Sequence, residues 1–218
     1  MQPPDGSASR VAEVLDSYAG ACALLSRLFL EPVDQSLISA LRDDPVLANW
    51  PLEADADTVR GLEALLVGAT APVDVLLVDH RDLFEGPDHV LACPYESVYL
   101  SDEHLTFEAQ TLDVRAFYNR FGLQAPSVGK EPDDHIGLEL SFISHLCVLG
   151  LDAIDASDAD AETAIIASIG DFLQQHLLRW ADDCLDRVVE HATTDFYRGL
   201  GHLARGTVRQ LQATFQAP

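Results

Sequence analysis

The sequence predicts an all-α protein: a single domain over residues 1–218, built as a bundle of eight or nine helices with two long functional loops. Three observations predict it. Apolar residues recur at three- and four-residue steps along most of the chain, the period of a helix with one buried face. No segment alternates apolar and polar residues as a half-buried strand would. The periodic segments end where proline, glycine or an acidic capping residue stands.

In order, Val11, Val14, Leu15, Tyr18, Cys22, Leu25, Leu28 and Phe29 form the first helical face, after a flexible lead-in over residues 1–8, and Pro32 stops it. Asp34 is placed to cap a short helix over Gln35–Leu41. Asp57–Val67 carries Val59, Leu62, Leu65 and Leu66 on helical spacing, and Pro72 opens a helix that runs through Val75, Leu76, Val78, Leu83 and Phe84. The period is then lost over Glu85–Glu108, which holds Gly86-Pro87 and Cys93-Pro94-Tyr95. A loop of that length inside a compact chain often carries function. Gln110–Phe121 returns to helix and Gly122 ends it. A second loop covers Gln124–Pro132, and Asp133 or Asp134 caps a helix through Leu138, Phe142, Ile143 and Leu146. Gly150 to Asp160 reads as an acidic connector, followed by helices over Thr163–Leu178, Asp182–His191 and Phe196–Phe215.

Composition narrows the function classes. With 48% hydrophobic residues the chain can bury a core, although its formal net charge is -23 from 36 acidic and 13 basic residues. Such a surface repels phosphate backbones and anionic membranes, so neither nucleic acid nor stable membrane insertion is expected. Lys130 is the only lysine. Arginine over lysine and an excess of aspartate fit adaptation to molar salt, where self-repulsion is screened within about 3 Å. No basic, apolar leader opens the sequence, which predicts a cytoplasmic protein. Cys22, Cys93, Cys147 and Cys184 form no C-x-x-C pair, and the eight histidines form no H-E-x-x-H pair. Neither a metal site nor a cofactor is therefore expected. His80-Arg81-Asp82-Leu83 resembles the start of a kinase catalytic loop, but the magnesium-binding asparagine and the Gly-rich loop are missing.

Two segments concentrate chemistry. Glu131-Pro132-Asp133-Asp134-His135 sets acids and an imidazole beside a rigid turn. Helix initiation explains Pro132 and one aspartate; it does not explain the whole run. The residues alone leave a structural cap and a functional site both open. Leu83-Phe84-Glu85-Gly86-Pro87 and Cys93-Pro94-Tyr95-Glu96-Ser97-Val98-Tyr99 flank the first loop with aromatics, prolines and a carboxylate, a composition that suits a groove for a peptide.

Taken together these segments resemble the TorD/DmsD family of redox-enzyme maturation chaperones, related to the NarJ branch. The resemblance also draws on Phe117-Tyr118-x-x-Phe121-Gly122-Leu123, Phe172-x-x-x-His176-Leu177-x-x-Trp180 and Phe196-Tyr197-x-x-Leu200, and on Tyr18 in the first helix. It implies a chaperone, not an enzyme. Such a chaperone binds the twin-arginine signal peptide and the apo-form of a molybdoenzyme catalytic subunit, of the dimethyl sulfoxide or trimethylamine N-oxide reductase type. It holds that client for cofactor insertion, as a monomer or a dimer. The signal-peptide site implied comprises Pro132, Asp134 and His135, with Leu83, Phe84, Gly86, Pro87, Pro94, Tyr95 and Glu96, and more weakly Tyr18. Asp134 and Glu96 are expected to accept the arginine hydrogen bonds. Phe84, Tyr95 and Leu83 are expected to take the apolar stretch. Three alternatives are a nitrate reductase catalytic subunit as client, a helical metal-dependent hydrolase, and a structural subunit of a larger complex.

Overall fold

Ten α-helices and one 3-10 turn make up the computed structural model, which describes residues 5–43, 47–86, 90–126 and 132–216. The helices are α1 (Asp5–Leu30), α2 (Gln35–Asp43), α3 (Ala56–Gly68), α4 (Val73–Phe84), α5 (Glu96–Leu100), α6 (Ala109–Arg120), α7 (Ile136–Asp155), α8 (Ala159–Gln175), α9 (Ala181–His191) and α10 (Asp195–Phe215), with the 3-10 turn at Leu177–Arg179. No strand is present among the described residues; Tyr95 and His135 form an isolated antiparallel bridge.

Local chemistry sets most boundaries. Asp34 accepts the Leu37 N–H at 2.7 Å, as expected of a cap. Asp55 caps α3 through the Thr58 N–H, Asp158 caps α8 through Ala161, and Thr194 caps α10. Gly122 has φ 69°, the left-handed conformation that closes α6. The first helix begins at Asp5, ahead of the periodic face that starts at Val11. Three expectations need correction. The first loop contains α5, too short to show a period. His135, not Asp133 or Asp134, caps α7. That helix also runs through Gly150 to Asp155, because Leu151, Ala153 and Ile154 still pack inward.

The core lies where α1 packs along α7, α7 against α8, and α10 against both α3 and α9. By length and composition α7 could cross a membrane, but 56% of its apolar window is buried within the protein. The approach of α3 to α10 rests on glycine. A Cβ at Gly199 would sit 2.5 Å from the Leu65 nitrogen, so the two backbones meet only without side chains there. The same pair of helices is tied by Asp57, which holds Arg205 at 2.7 Å, Arg209 at 2.7 Å and His202 at 3.0 Å. These partners, with the Arg205 hydrogen bond foremost, bring the Asp57 carboxyl down to about 2.

Candidate functional site

The two loops read from the sequence meet. The Glu96 N–H donates to the Asp134 carbonyl at 3.0 Å, and the Ile136 N–H donates to the Pro94 carbonyl at 2.8 Å. The Asp133-Asp134-His135 run fastens this junction in three directions. Asp133 is fully buried and takes the Arg115 fork at 2.8 and 2.9 Å, which secures it to α6. Asp134 is also fully buried; it accepts the Ser97 N–H at 2.8 Å and the Thr111 hydroxyl at 2.7 Å. It thereby caps α5 from a segment 37 residues away. His135 turns its Nδ1 to the Gly137 N–H at 3.0 Å, so in its neutral form the proton is on Nε2. Burial, with His80 nearby, lowers the His135 pKa to about 3.

Beside this junction lies a cavity of about 340 Å³ between the ends of α1 and α4 and the start of α7. Its walls are aromatic: Phe29, Phe84, Tyr95 and the imidazoles of His80 and His135. Tyr95 and His135 meet edge to face with centroids 5.1 Å apart, and His80 meets Phe84 likewise at 5.2 Å. Burial also lowers the His80 pKa. Two carboxylates, Glu31 and Glu85, line the cavity and are exposed. An adjoining hollow of about 280 Å³ shares Leu30, Pro126 and Leu138 with it and adds Leu123 and Phe142. Together they form a groove lined by two exposed acids and by apolar and aromatic side chains. That combination can accept a chain segment bearing cations next to an apolar run.

The expected site residues divide. Phe84, Tyr95, Pro132 and His135 line the cavity. Leu83 is fully buried in the core, Pro94 is buried behind the bridge, and Gly86 is not part of the wall. Pro87 lies outside the described residues. Asp134 and Glu96 do not present carboxylates to the groove. Asp134 is spent on α5 and Thr111, and Glu96, fully buried, pairs with His176 at 3.0 Å. The carboxylates that line the groove are instead those of Glu31, which also pairs with Arg27 at 3.0 Å, and Glu85. Tyr18 is elsewhere: its hydroxyl bonds Thr214 at 2.8 Å and it lines a separate cavity with Arg10 and Pro51. It stands on α1 about 18 Å from Leu30, at about 1.5 Å of rise per residue.

Residues of this lining that sequence reasoning did not place there are Glu31, His80, Phe29, Leu30 and Leu138, while Glu85 stood within a segment read as suiting a groove. His80 was legible in principle, since it stands four residues before Phe84 and so on the same helix face. Glu31 had no local signal; it comes to the site through the packing of α1 on α7. Among the described residues no group of three or more His, Cys, Asp or Glu could hold a metal ion, and all four cysteines are free thiols.

Comparison with known proteins fits this architecture. The model of the family described as nitrate reductase delta subunit matches residues 51–186. The chain belongs to that family. Within it, the chain is 30% identical over 216 residues to the Tat proofreading chaperone DmsD of Salmonella paratyphi A, covering 93% of each. It is 27% identical over 200 residues to the chaperone protein TorD of Shewanella pealeana, covering 85% of this chain and 84% of the relative. It is 27% identical over 198 residues to the chaperone protein YcdY of Escherichia coli, covering 89% and 93%. A solved structure from Archaeoglobus fulgidus, assigned to redox enzyme maturation, aligns with a TM-score of 0.50 at 17% identity over 97% of this chain and 96% of that one, which supports the same fold. These nitrate reductase delta family relatives are named chaperones and not enzymes, and the TorD/DmsD resemblance read from the sequence is that of the family.

Proposed function

We propose that the chain is a cytoplasmic chaperone that binds the twin-arginine signal peptide of a molybdopterin oxidoreductase and holds the apoenzyme for cofactor insertion before export. The observation that carries this reading is the groove itself. Glu31 and Glu85 line its first hollow, and Leu30, Leu138 and Phe142 line the adjoining one. Two guanidinium groups beside the acids and an apolar stretch against the apolar side chains match that lining. The names of the DmsD and TorD relatives support the same reading. Neutral imidazoles at His80 and His135 add no positive charge that would oppose an arginine.

The test is calorimetric titration with synthetic twin-arginine signal peptides from the molybdoenzymes of the same genome. Saturable binding that falls when both arginines are replaced by glutamine supports the proposal. Equal affinity for the arginine and glutamine peptides removes it. The description of the matching family favours a second client, a respiratory nitrate reductase catalytic subunit. Recovery of the bound client from cell extract separates the two. The excess of 36 acids over 13 basic residues supports a further part of this reading, that the protein works in molar salt.

A further inference from the structure

Glu96 follows the groove-lining Tyr95 in sequence but opens on a different cavity. This second cavity, of about 580 Å³, lies between α6 and the end of α8 and is predominantly polar. At its base the Glu96 carboxylate, fully buried, faces Nδ1 of His176 at 3.0 Å. His176 is only 5% exposed. With Nδ1 committed to Glu96, its Nε2 is the remaining polar vertex, and no protein group among the described residues hydrogen-bonds to it.

Arg120, at the end of α6, and Arg179, in the 3-10 turn, line the same cavity. Six arginines of this acid-rich chain, Arg27, Arg81, Arg115, Arg198, Arg205 and Arg209, stand in ion pairs, and Arg10, Arg42, Arg60 and Arg187 do not among the described residues. Arg120 and Arg179 stand in none among the described residues. Arg120 lies over the Phe117 ring at 4.3 Å, and Arg179 donates to the Gln175 carbonyl at 3.3 Å and acts on Glu96 through space. Asp113 is the one acid besides Glu96 on the wall. A core pair joining α5 to the 3-10 turn accounts for the Glu96–His176 contact. It does not account for two arginines left without acids around an oriented imidazole.

We infer that this cavity binds a small oxyanion, a phosphate or carboxylate group, through Arg120, Arg179 and Nε2 of His176. Guanidinium forks match the paired oxygens of either group; with the Nδ1 proton given to Glu96, Nε2 of His176 accepts from a protonated oxygen of the ligand, and donates as a third contact when the ring carries both protons. A divalent cation is disfavoured by the same two arginines. The ligand class is anionic and small, and its site is distinct from the peptide groove.

The experiment titrates the full chain with inorganic phosphate and, separately, with glutarate. Ionic strength is held fixed with chloride, so that general screening gives no signal. One saturable site for either probe is expected, and the tighter probe identifies the source as a phosphate ester or a carboxylate. The Arg120→Gln/Arg179→Gln double variant should weaken that binding at least about tenfold, the loss of two charge-assisted contacts. It should leave thermal unfolding and signal-peptide affinity unchanged. Arg81→Gln, remote from the cavity, should bind as the parent does. Absence of a saturable site for both probes, or equal affinity in the double variant and the parent, overturns the inference.

Discussion

The ring of His135 meets the ring of Tyr95 edge-on at 5.1 Å while their backbones form an antiparallel bridge. One contact thus joins the two irregular connections and forms part of the groove wall. The aspartates beside it hold that contact from behind, so loss of an acid and loss of binding are separable events.

For Asp134 this separation is measurable. Asp134→Asn weakens the acceptor for Ser97 and Thr111 in a fully buried setting. A cost of about 1–3 kcal/mol is expected from urea unfolding. Thr111→Val, whose side chain lies behind the bridge, should reproduce part of that loss together with any drop in peptide affinity. A strong fall in peptide affinity in Asp134→Asn with unchanged stability would instead mean that the carboxylate contacts the peptide directly.

Glu31 and Glu85 should behave in the opposite way. Both are exposed, so Glu31→Gln with Glu85→Gln should change stability by no more than about 0.5 kcal/mol. Affinity for a twin-arginine peptide should fall about tenfold at low salt, and the difference should shrink as salt is raised. Calorimetry at two ionic strengths checks both statements.

Acidification should loosen the groove through His135. Its pKa in the folded protein, about 3, lies below the ordinary 6.5, so the unfolded chain takes up the proton first. Stability is full above pH 6.5 and is lost as pH falls toward 3, by up to about 1.4 kcal/mol per unit. The lowered His80 adds in the same direction. Urea midpoints between pH 7.5 and 5 should decline, and His135→Gln should flatten the decline.

Asp57 acts at lower pH. Its carboxyl is held at about 2, below the ordinary 3.8, so its contribution is present above 3.8 and disappears as pH falls toward 2. Asp57→Asn removes the common partner of Arg205, Arg209 and His202 and should cost about 2 kcal/mol at pH 7. That cost should vanish in unfolding experiments near pH 2.

The charge balance gives a separate expectation. Thermal unfolding should shift upward between dilute buffer and molar potassium chloride, as screening relieves repulsion among 36 acids. Greater stability in dilute buffer would exclude adaptation to salt.

The helical fold was legible because periodicity reports burial on each element separately: Leu25, Leu28 and Phe29 on α1 are buried as their spacing requires. The short α5 was not legible, since five residues cannot display a period and its cap comes from Asp134, distant in sequence. For the candidate site, the meeting of the two loops was legible from their composition, and Phe84, Tyr95, Pro132 and His135 line one cavity. The direction of each carboxylate was not. Whether an acid faces a groove or a neighbouring helix depends on partners such as Thr111, Arg115 and His176, which no local pattern announces. Tyr18 is the plainest case: helical spacing places it on an inward face but does not say which end of α1 carries the groove.

The bridge at Tyr95 also makes the protein sensitive to chain length in an unusual place. Neighbouring residues along extended backbone point to opposite sides. Tyr95 accordingly looks into the groove while Glu96 looks toward His176. Inserting one residue between Ala92 and Pro94 would exchange those sides, sending a carboxylate among Phe29 and Phe84 and a phenol against His176. A single-codon insertion there should therefore disable the groove more thoroughly than several added residues at the exposed turn after α7.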